Sequence, residues 1–456
     1  MSKSVTVIGA GPAGPMLAVY LANQGHNVTV YESRPDMREV DISAGRSINL
    51  ALATRGIEPL RAIGVMDSVE PVLIPMLGRR IHERDGQQSV QPYGSQPHEY
   101  INSVSRSALN SILLDAAEAT GNVTLRFNMR CRGIDLETNT LRFSNELNSE
   151  MTTTNYETVF GTDGSASVIR EDLLVANGGS VDIAQLDHGY KELTLPAGVD
   201  GSFQIDQNAL HIWPRGDFML IALPDTGGSF TVTLFLANDA AQDSFRQLDT
   251  PRRVAEFFAE HFADFVALTP DLVEQFFENP HGRLATVRTV GWRLSDKVVL
   301  LGDAAHAVVP FHGEGMNAAF ESCAVLDACM RQHPNDWELA FSDFETTRKP
   351  DTDAIAQMAI DNYVEMRSSV IDERYQLKRA LALELERRWP QRFTPRYSMV
   401  MFHTMAYSEA QRRAGAQGLV LDRLTEGIND LRNVDWATAE RLVAGLEVIQ
   451  HMDEGA

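Results

Sequence analysis

Only three cysteines occur in 456 residues, Cys131, Cys323 and Cys329. The odd count and the spacing suit neither a disulfide framework nor a metal cluster and fit a reducing compartment. Cys323 and Cys329 stand six apart in an alanine-rich helical stretch, which makes packing their expected role. No apolar run approaches the roughly 18 residues of a membrane-crossing helix. The opening "MSKSVTVIGAG" runs straight into a strand, with no room for a secretory leader. A cytoplasmic protein without a membrane segment is therefore expected. Basic residues are scarce too, 40 Lys and Arg against 62 Asp and Glu for a net charge of -22, which argues against binding to nucleic acid or an anionic membrane surface. The acidic residues are scattered, as on an ordinary solvated surface.

What is present begins with "SVTVIGAGPAGPMLAVYLANQGHNVTVYESRP" (4–35), a short apolar strand, a glycine turn, a helix ended by Gly25 and a second strand. Gly9, Gly11 and Gly14 match the G-x-G-x-x-G spacing that lets a dinucleotide pyrophosphate approach a helix N-terminus. Glu32 closes the second strand where a carboxylate reaches a ribose hydroxyl. This motif alone leaves FAD and NAD both open as the resident cofactor.

Farther along, "ALNSILLDAAEAT" (108–120) predicts an amphipathic helix and "NVTLRF" (122–127) a strand. "LHIWPRGDFMLIALPDTGGSFTVTLFL" (210–236) alternates in polarity around a Gly-Gly turn and predicts an antiparallel hairpin. "DKVVLLGDAAH" (296–306) returns to the buried parallel-strand type, and the chain beyond it predicts helices broken near the prolines at 350, 390 and 395. The expected architecture is α/β: a Rossmann-like FAD-binding domain, an inserted antiparallel β-sheet substrate domain and a helical C-terminal region. Its expected boundaries are 1–180 for the first part of the cofactor domain, with interleaved substrate-domain segments near 70–105. Residues 181–285 form the sheet domain, 286–345 the second part of the cofactor domain and 346–456 a helical domain closing the substrate site.

Two more stretches bear on the cofactor. "GTDGSASVIR" (161–170) puts Asp163-Gly164 at a strand end, and "VVLLGDAAH" ends a second strand in Gly-Asp. With the glycine loop, in this order, they resemble the flavoprotein aromatic hydroxylases. "GRSINLAL" (45–52), "GRRIH" (78–82), "QPYG" (91–94), "SVSRSALN" (103–110), "HGYKEL" (188–193), "DNYVEM" (361–366) and "PRYSMV" (395–400) extend the likeness to about residue 410. They narrow it to members that act on an aromatic amino acid bearing an aniline ring.

The resemblance implies bound FAD, NADPH and O2 as co-substrates, and oxygen transfer from a flavin hydroperoxide to the ring ortho to the amino group. It implies no metal, no nucleic acid and no membrane partner, and a monomer or homodimer. It places cofactor contacts at Gly9, Gly11, Ala13, Gly14, Glu32, Arg34, Ala51, Arg106, Asp163, Asp303, Gly315, Met316 and Asn317. It places the substrate carboxylate on Arg79 and Tyr93, with Asn362 and Tyr397 completing that polar end. Phe235, Phe311 and His312 would wall the aniline ring. Because an aniline activates its own ortho carbon, no strong catalytic base is expected, and His312 and Glu314 are the only flavin-loop candidates.

Two departures stand out. The family loop usually carries Gln where this chain has Glu314. A carboxylate there is unfavourable beside an anionic reduced flavin, so Glu314 is expected to turn away, pair with a cation or stay protonated, and Glu314→Gln to be tolerated or beneficial. The C-terminal "LRNVDWATAERLVAGLEVIQHMDEGA" is polar and acidic, unlike the hydrophobic anchor of eukaryotic members. A hydroxylase of another anthranilate-like or aryl amino acid, a non-catalytic flavin protein and a nicotinamide dehydrogenase are the competing readings. The last leaves "GTDGSAS" and the late Gly-Asp unexplained.

Overall fold

In the computed structural model, residues 2–40, 49–94, 96–367 and 372–449 are described. Residues 45–48 of "GRSINLAL" lie outside them. The run Val5–Ile8 is buried throughout, so its strand needs cover on both faces and takes an interior place in a parallel sheet. Ser4–Ile8 pairs in parallel with Asn27–Tyr31 on one side and Thr158–Gly161 on the other. Val123–Arg126 and Val298–Leu300 extend the sheet in parallel, and Arg293–Leu294 closes it antiparallel. The strand before Gly302-Asp303 thus lies beside the one before Asp163, although some 140 residues separate them. Everything between must leave the sheet and return.

Part of that intervening chain builds a second sheet. Its order is His281–Val290, Ser180–Leu195, Phe230–Ala237, Met219–Pro224, Ala209–Pro214, Gly78–His82, Gln88–Pro92. The segment expected as one hairpin is a three-stranded meander, because "PRGD" makes a second turn besides the Gly-Gly one. One face of this sheet carries Trp213, Leu220, Val232, Leu234 and Leu236 against Phe257, Phe258, Phe262 and Phe265. Burying each of these side chains contributes about 1.5–3 kcal/mol. The opposite face carries Ile81, Leu210, Met219 and Phe235 toward the helical region.

Helix Gly315–Gln332 packs on helices Ala13–Asn23, Thr54–Ala62 and Trp337–Arg367. The expected break near 350 is absent: Pro350 sits inside the 31-residue helix Trp337–Arg367. An interior proline costs about 3 kcal/mol. Around it, Arg348, Asp351, Thr352 and Ile355 are buried, and Arg348 reaches Glu321 at 2.8 Å, so packing outweighs the lost bond. The later breaks do occur: one helix ends at Arg388, and the next, Arg396–Met401, follows Pro395. All three cysteines are free and buried.

Candidate active site

The glycine loop is shaped by two close approaches. Gly9 has φ +101°, a conformation that disfavours side chains, and a Cβ on Gly14 would lie 2.0 Å from the Gly9 carbonyl oxygen. Gly11 is the opposite case: a Cβ there meets no atom within 4 Å, because it would project toward a cavity of about 490 Å3 that Gly11, Pro12 and Ala13 line. Helix Ala13–Asn23 has no side-chain cap and no acidic residue in its first turn, so its free amides and dipole face that space. Helix Gly315–Gln332 also starts uncapped, and Gly315 and Met316 line the same cavity. Two helix N-termini therefore converge on one volume.

Asp303 and Arg106 stand between them. Asp303 exposes surface to the cavity yet lies deep in the fold, and burial raises its carboxyl pKa while Arg106 pulls it back. Among the described residues none donates a hydrogen bond to the Asp303 carboxylate, so it remains open to accept from a hydroxyl. Amides for phosphates, a carboxylate for a sugar-like chain and an arginine form a donor set that fits FAD. Ala51 lines this region too.

Other residues expected to touch the cofactor do not reach the cavity wall. Glu32 is buried; its Oε2 accepts from the Ala10 amide at 2.8 Å, and its Oε1 accepts from the Arg34 backbone and side chain at 2.9 Å. Burial works against its ionisation, but Arg34 outweighs burial and holds the carboxyl below its usual range. The Asp163 carboxylate accepts from Ser167 Oγ at 2.6 Å and the Val168 amide at 2.9 Å, bracing the start of helix Val168–Asn177, while Thr162, Gly164 and Ser165 face the cavity. Asn317 is likewise engaged within the protein. Its amide donates to the Ala51 and Gly313 carbonyls at 3.0 Å, so the side chain stitches strand Asn49–Leu52 to the flavin loop.

The same cavity is lined by Arg79, Tyr93, Phe235, Phe311, His312, Asn362 and Tyr397, so the structure brings all seven expected substrate residues to its wall. Arg79 is buried and pairs with Glu365 at 3.2 Å. Its guanidinium lies 4.9 Å from the Tyr397 ring centre, and Tyr397 stacks on Tyr93 and on His312. Phe235 and Phe311 meet at 4.9 Å. Asn362 donates to the Phe311 carbonyl at 2.6 Å and so holds the aromatic wall. Burial, aided by Arg396 and Arg79, pushes His312 down to about 3. The ring is neutral, and its Nδ1 has no hydrogen-bond partner among the described residues.

Glu314 turns away from the cavity. It is fully buried, accepts from the Tyr407 hydroxyl and from Asn317 Nδ2 at 2.9 Å, and lies 4.0 Å from Arg55 Nε. Two of the expected outcomes, turning away and pairing with a cation, thus hold together. Sequence reading missed Glu365, which pairs with Arg79, and Tyr375 and Arg396, which in turn bond to Glu365. One signal was available: Asn362, Glu365 and Met366 fall at i, i+3 and i+4 of one helix face. Burial opposes charge on Glu365, but Arg79 and Arg396 hold its carboxyl below the usual range. Among the described residues there is no metal-ligating cluster and no helix long and apolar enough to cross a membrane.

Comparison with known proteins agrees with this geometry. Residues 2–329 match the FAD binding domain family. The chain is 46% identical to kynurenine 3-monooxygenase of Myxococcus xanthus over 96% of this chain and 94% of that one. It is 45% identical to the Stenotrophomonas maltophilia enzyme of the same name over 98% of each. The solved structure of 2-methyl-3-hydroxypyridine-5-carboxylic acid oxygenase superposes with a TM-score of 0.65, covering 84% of this chain and 98% of that one, at 20% identity. That likeness shows the fold alone.

Proposed function

This chain belongs to the kynurenine 3-monooxygenase family of FAD-dependent enzymes, and from that premise we propose that its cavity takes L-kynurenine and that the ring is hydroxylated at the 3-position. When bound, FAD accepts hydride from NADPH and activates O2, so that one oxygen atom enters the ring and the other leaves as water.

The protein's share is binding, orientation and exclusion of water. Arg79 takes the planar carboxylate with two parallel N–H donors, while Glu365 holds the guanidinium in place. Tyr397 and Tyr93 offer phenol hydroxyls to the same end. Phe235 and Phe311 fix the plane of the ring, and neutral His312 presents its open Nδ1 to a polar group of the substrate. None of these residues has to act as a strong base, since the aniline nitrogen supplies the electron density at the attacking carbon. The observation that carries this reading is the buried Arg79, which comes from the second sheet to line the same cavity as the dinucleotide loop.

NADPH oxidation by the FAD-loaded protein, with and without L-kynurenine and with mass detection, tests it. Stimulated oxidation with a product heavier by one oxygen is expected; no stimulation removes kynurenine as the substrate. Arg79 would hold the carboxylate of a related aryl amino acid equally well, and a panel of anthranilate-like acids separates that second reading. Three buried free cysteines suit a reducing, cytoplasmic setting, where the enzyme would work as a monomer or homodimer.

A further inference from the structure

Behind the cofactor loop lies a buried cluster that the reaction described above does not use. Arg55 and Arg348 face three carboxylates, Glu314, Glu321 and Asp351. Glu321 pairs with both arginines, directly with Arg55 and at 2.8 Å with Arg348. Asp351 lies 3.4 Å from Arg348 and also accepts from the Ser408 hydroxyl at 2.6 Å. Glu314 has the longest reach to a cation, 4.0 Å, although its side chain is fully buried. Three carboxylates against two guanidiniums leave one negative charge in excess, and Glu314 is the member whose charge is least compensated. The groups facing it come from every surrounding element: Arg55 from helix Thr54–Ala62, Glu321 from its own helix, Tyr407 from helix Tyr407–Leu424, and Tyr397 from helix Arg396–Met401. Arg348 lies farther off, 5.9 Å from the centre of the Tyr407 ring.

Its position gives this excess a consequence. Gly313 and Gly315, on either side of Glu314, both line the cavity, and Glu314 precedes the first turn of helix Gly315–Gln332. Bound FAD, once reduced by hydride from NADPH, would add a negative charge to the cavity that this helix start lines. We propose that Glu314 is a positioning residue that takes up one proton from solvent when the bound flavin is reduced and returns it on reoxidation. The balance is one hydride moved from NADPH to the flavin and one proton moved from water to the Glu314 carboxylate. The proton then sits on the Glu314 carboxyl. Burial already raises this carboxyl to about 7, with Arg55 and Tyr407 pulling against burial, so a nearby charge is enough to change its state.

The proposal rests on the FAD reading, and its test separates the two. The measurements are the midpoint potential of the FAD-loaded protein as a function of pH and the reduced-minus-oxidised infrared difference spectrum. Wild type should show a break in the pH dependence near 7 and a protonated-carboxyl band that appears on reduction. E314Q should lose both. Y407F, which keeps the carboxyl but removes a bond that favours its charged form, should move the break to higher pH; this variant also serves if E314Q fails to fold. Flavin-loaded proteins with identical pH dependence and no carboxyl band overturn the proposal alone. Protein that takes up no flavin overturns the FAD reading, and this one with it.

Discussion

The Arg79 guanidinium and the Glu365 carboxylate meet at 3.2 Å inside the cavity wall, and each explains the other's presence there. An unpaired buried arginine is costly, and so is an unpaired buried carboxylate. Arg79→Ala should therefore raise the KM for kynurenine by roughly 100-fold, the loss of a charge-assisted interaction of about 3 kcal/mol, while leaving flavin absorbance unchanged. Steady-state kinetics checks this, and an unchanged KM would remove Arg79 from the substrate site. Glu365→Gln leaves Arg79 unpaired, so it should lower Tm more in the substrate-free enzyme than in the kynurenine complex.

His312 is held neutral by burial, with its pKa pushed down to about 3. A depressed histidine gains its charge only below that value, so it contributes no ionisation between pH 5.5 and 8. The kcat/KM profile of wild type and His312→Phe should then have the same shape across that window, displaced in height alone. A limb near pH 6.5 that vanishes in the variant would show that His312 titrates after all.

The glycine loop tolerates no methyl at position 14. Gly14→Ala would force a Cβ to within 2.0 Å of the Gly9 carbonyl, and relieving that contact must move the loop. Expected are loss of FAD on gel filtration and destabilisation of about 1–3 kcal/mol. Glu32→Ala should give a milder form of the same defect, because the Ala10 amide loses its acceptor. Flavin content per protein, read by absorbance, distinguishes the two.

A hydrogen-bonded chain braces the back of the second sheet. Asp264 accepts from Trp213 and lies 2.9 Å from His82 Nδ1, and His82 lies 2.8 Å from His211. Burial raises the Asp264 carboxyl, but His82 and Trp213 outweigh it and hold the pKa below its usual value. For such a depressed acid, stability is present above the unfolded pKa and is lost as pH falls through the folded one. Asp264→Asn should therefore lower stability at pH 7 and flatten the acid side of the stability curve. Since the carboxylate is 41% exposed, screening limits the loss to about 1 kcal/mol or less. Urea denaturation at pH 7 and pH 4 checks this.

Local spacing carried the cofactor end of the site. G-x-G-x-x-G between a strand and a helix, and Gly-Asp at a late strand end, describe backbone geometry that neighbouring residues impose on each other, so both were legible in the chain. The substrate end was legible as residue types, such as Arg79 and Tyr397, carried over by resemblance to a family. Their partners were less so: helical spacing from Asn362 could have flagged Glu365, but that it and Tyr375 meet Arg79, from the helices on either side of residues 368–371, lies at a sequence distance no periodicity spans. Nor were the hydrogen bonds of Asp163 and Asn317 legible: Asp163 accepts from Ser167 Oγ and the Val168 amide, and Asn317 donates to the Ala51 and Gly313 carbonyls.

By itself, then, the sequence determined the α/β class, the dinucleotide loop and the return of the chain to the first sheet, because short-range sterics and patterns of burial dictate them. Tertiary structure decided that Pro350 would stay within a helix, because packing on both sides exceeds the cost of one missing backbone bond. It also decided where Glu314 points. A carboxylate cannot be buried without donors, and Tyr407, Asn317 and Arg55 reach it from three separate helices that only the folded chain brings together.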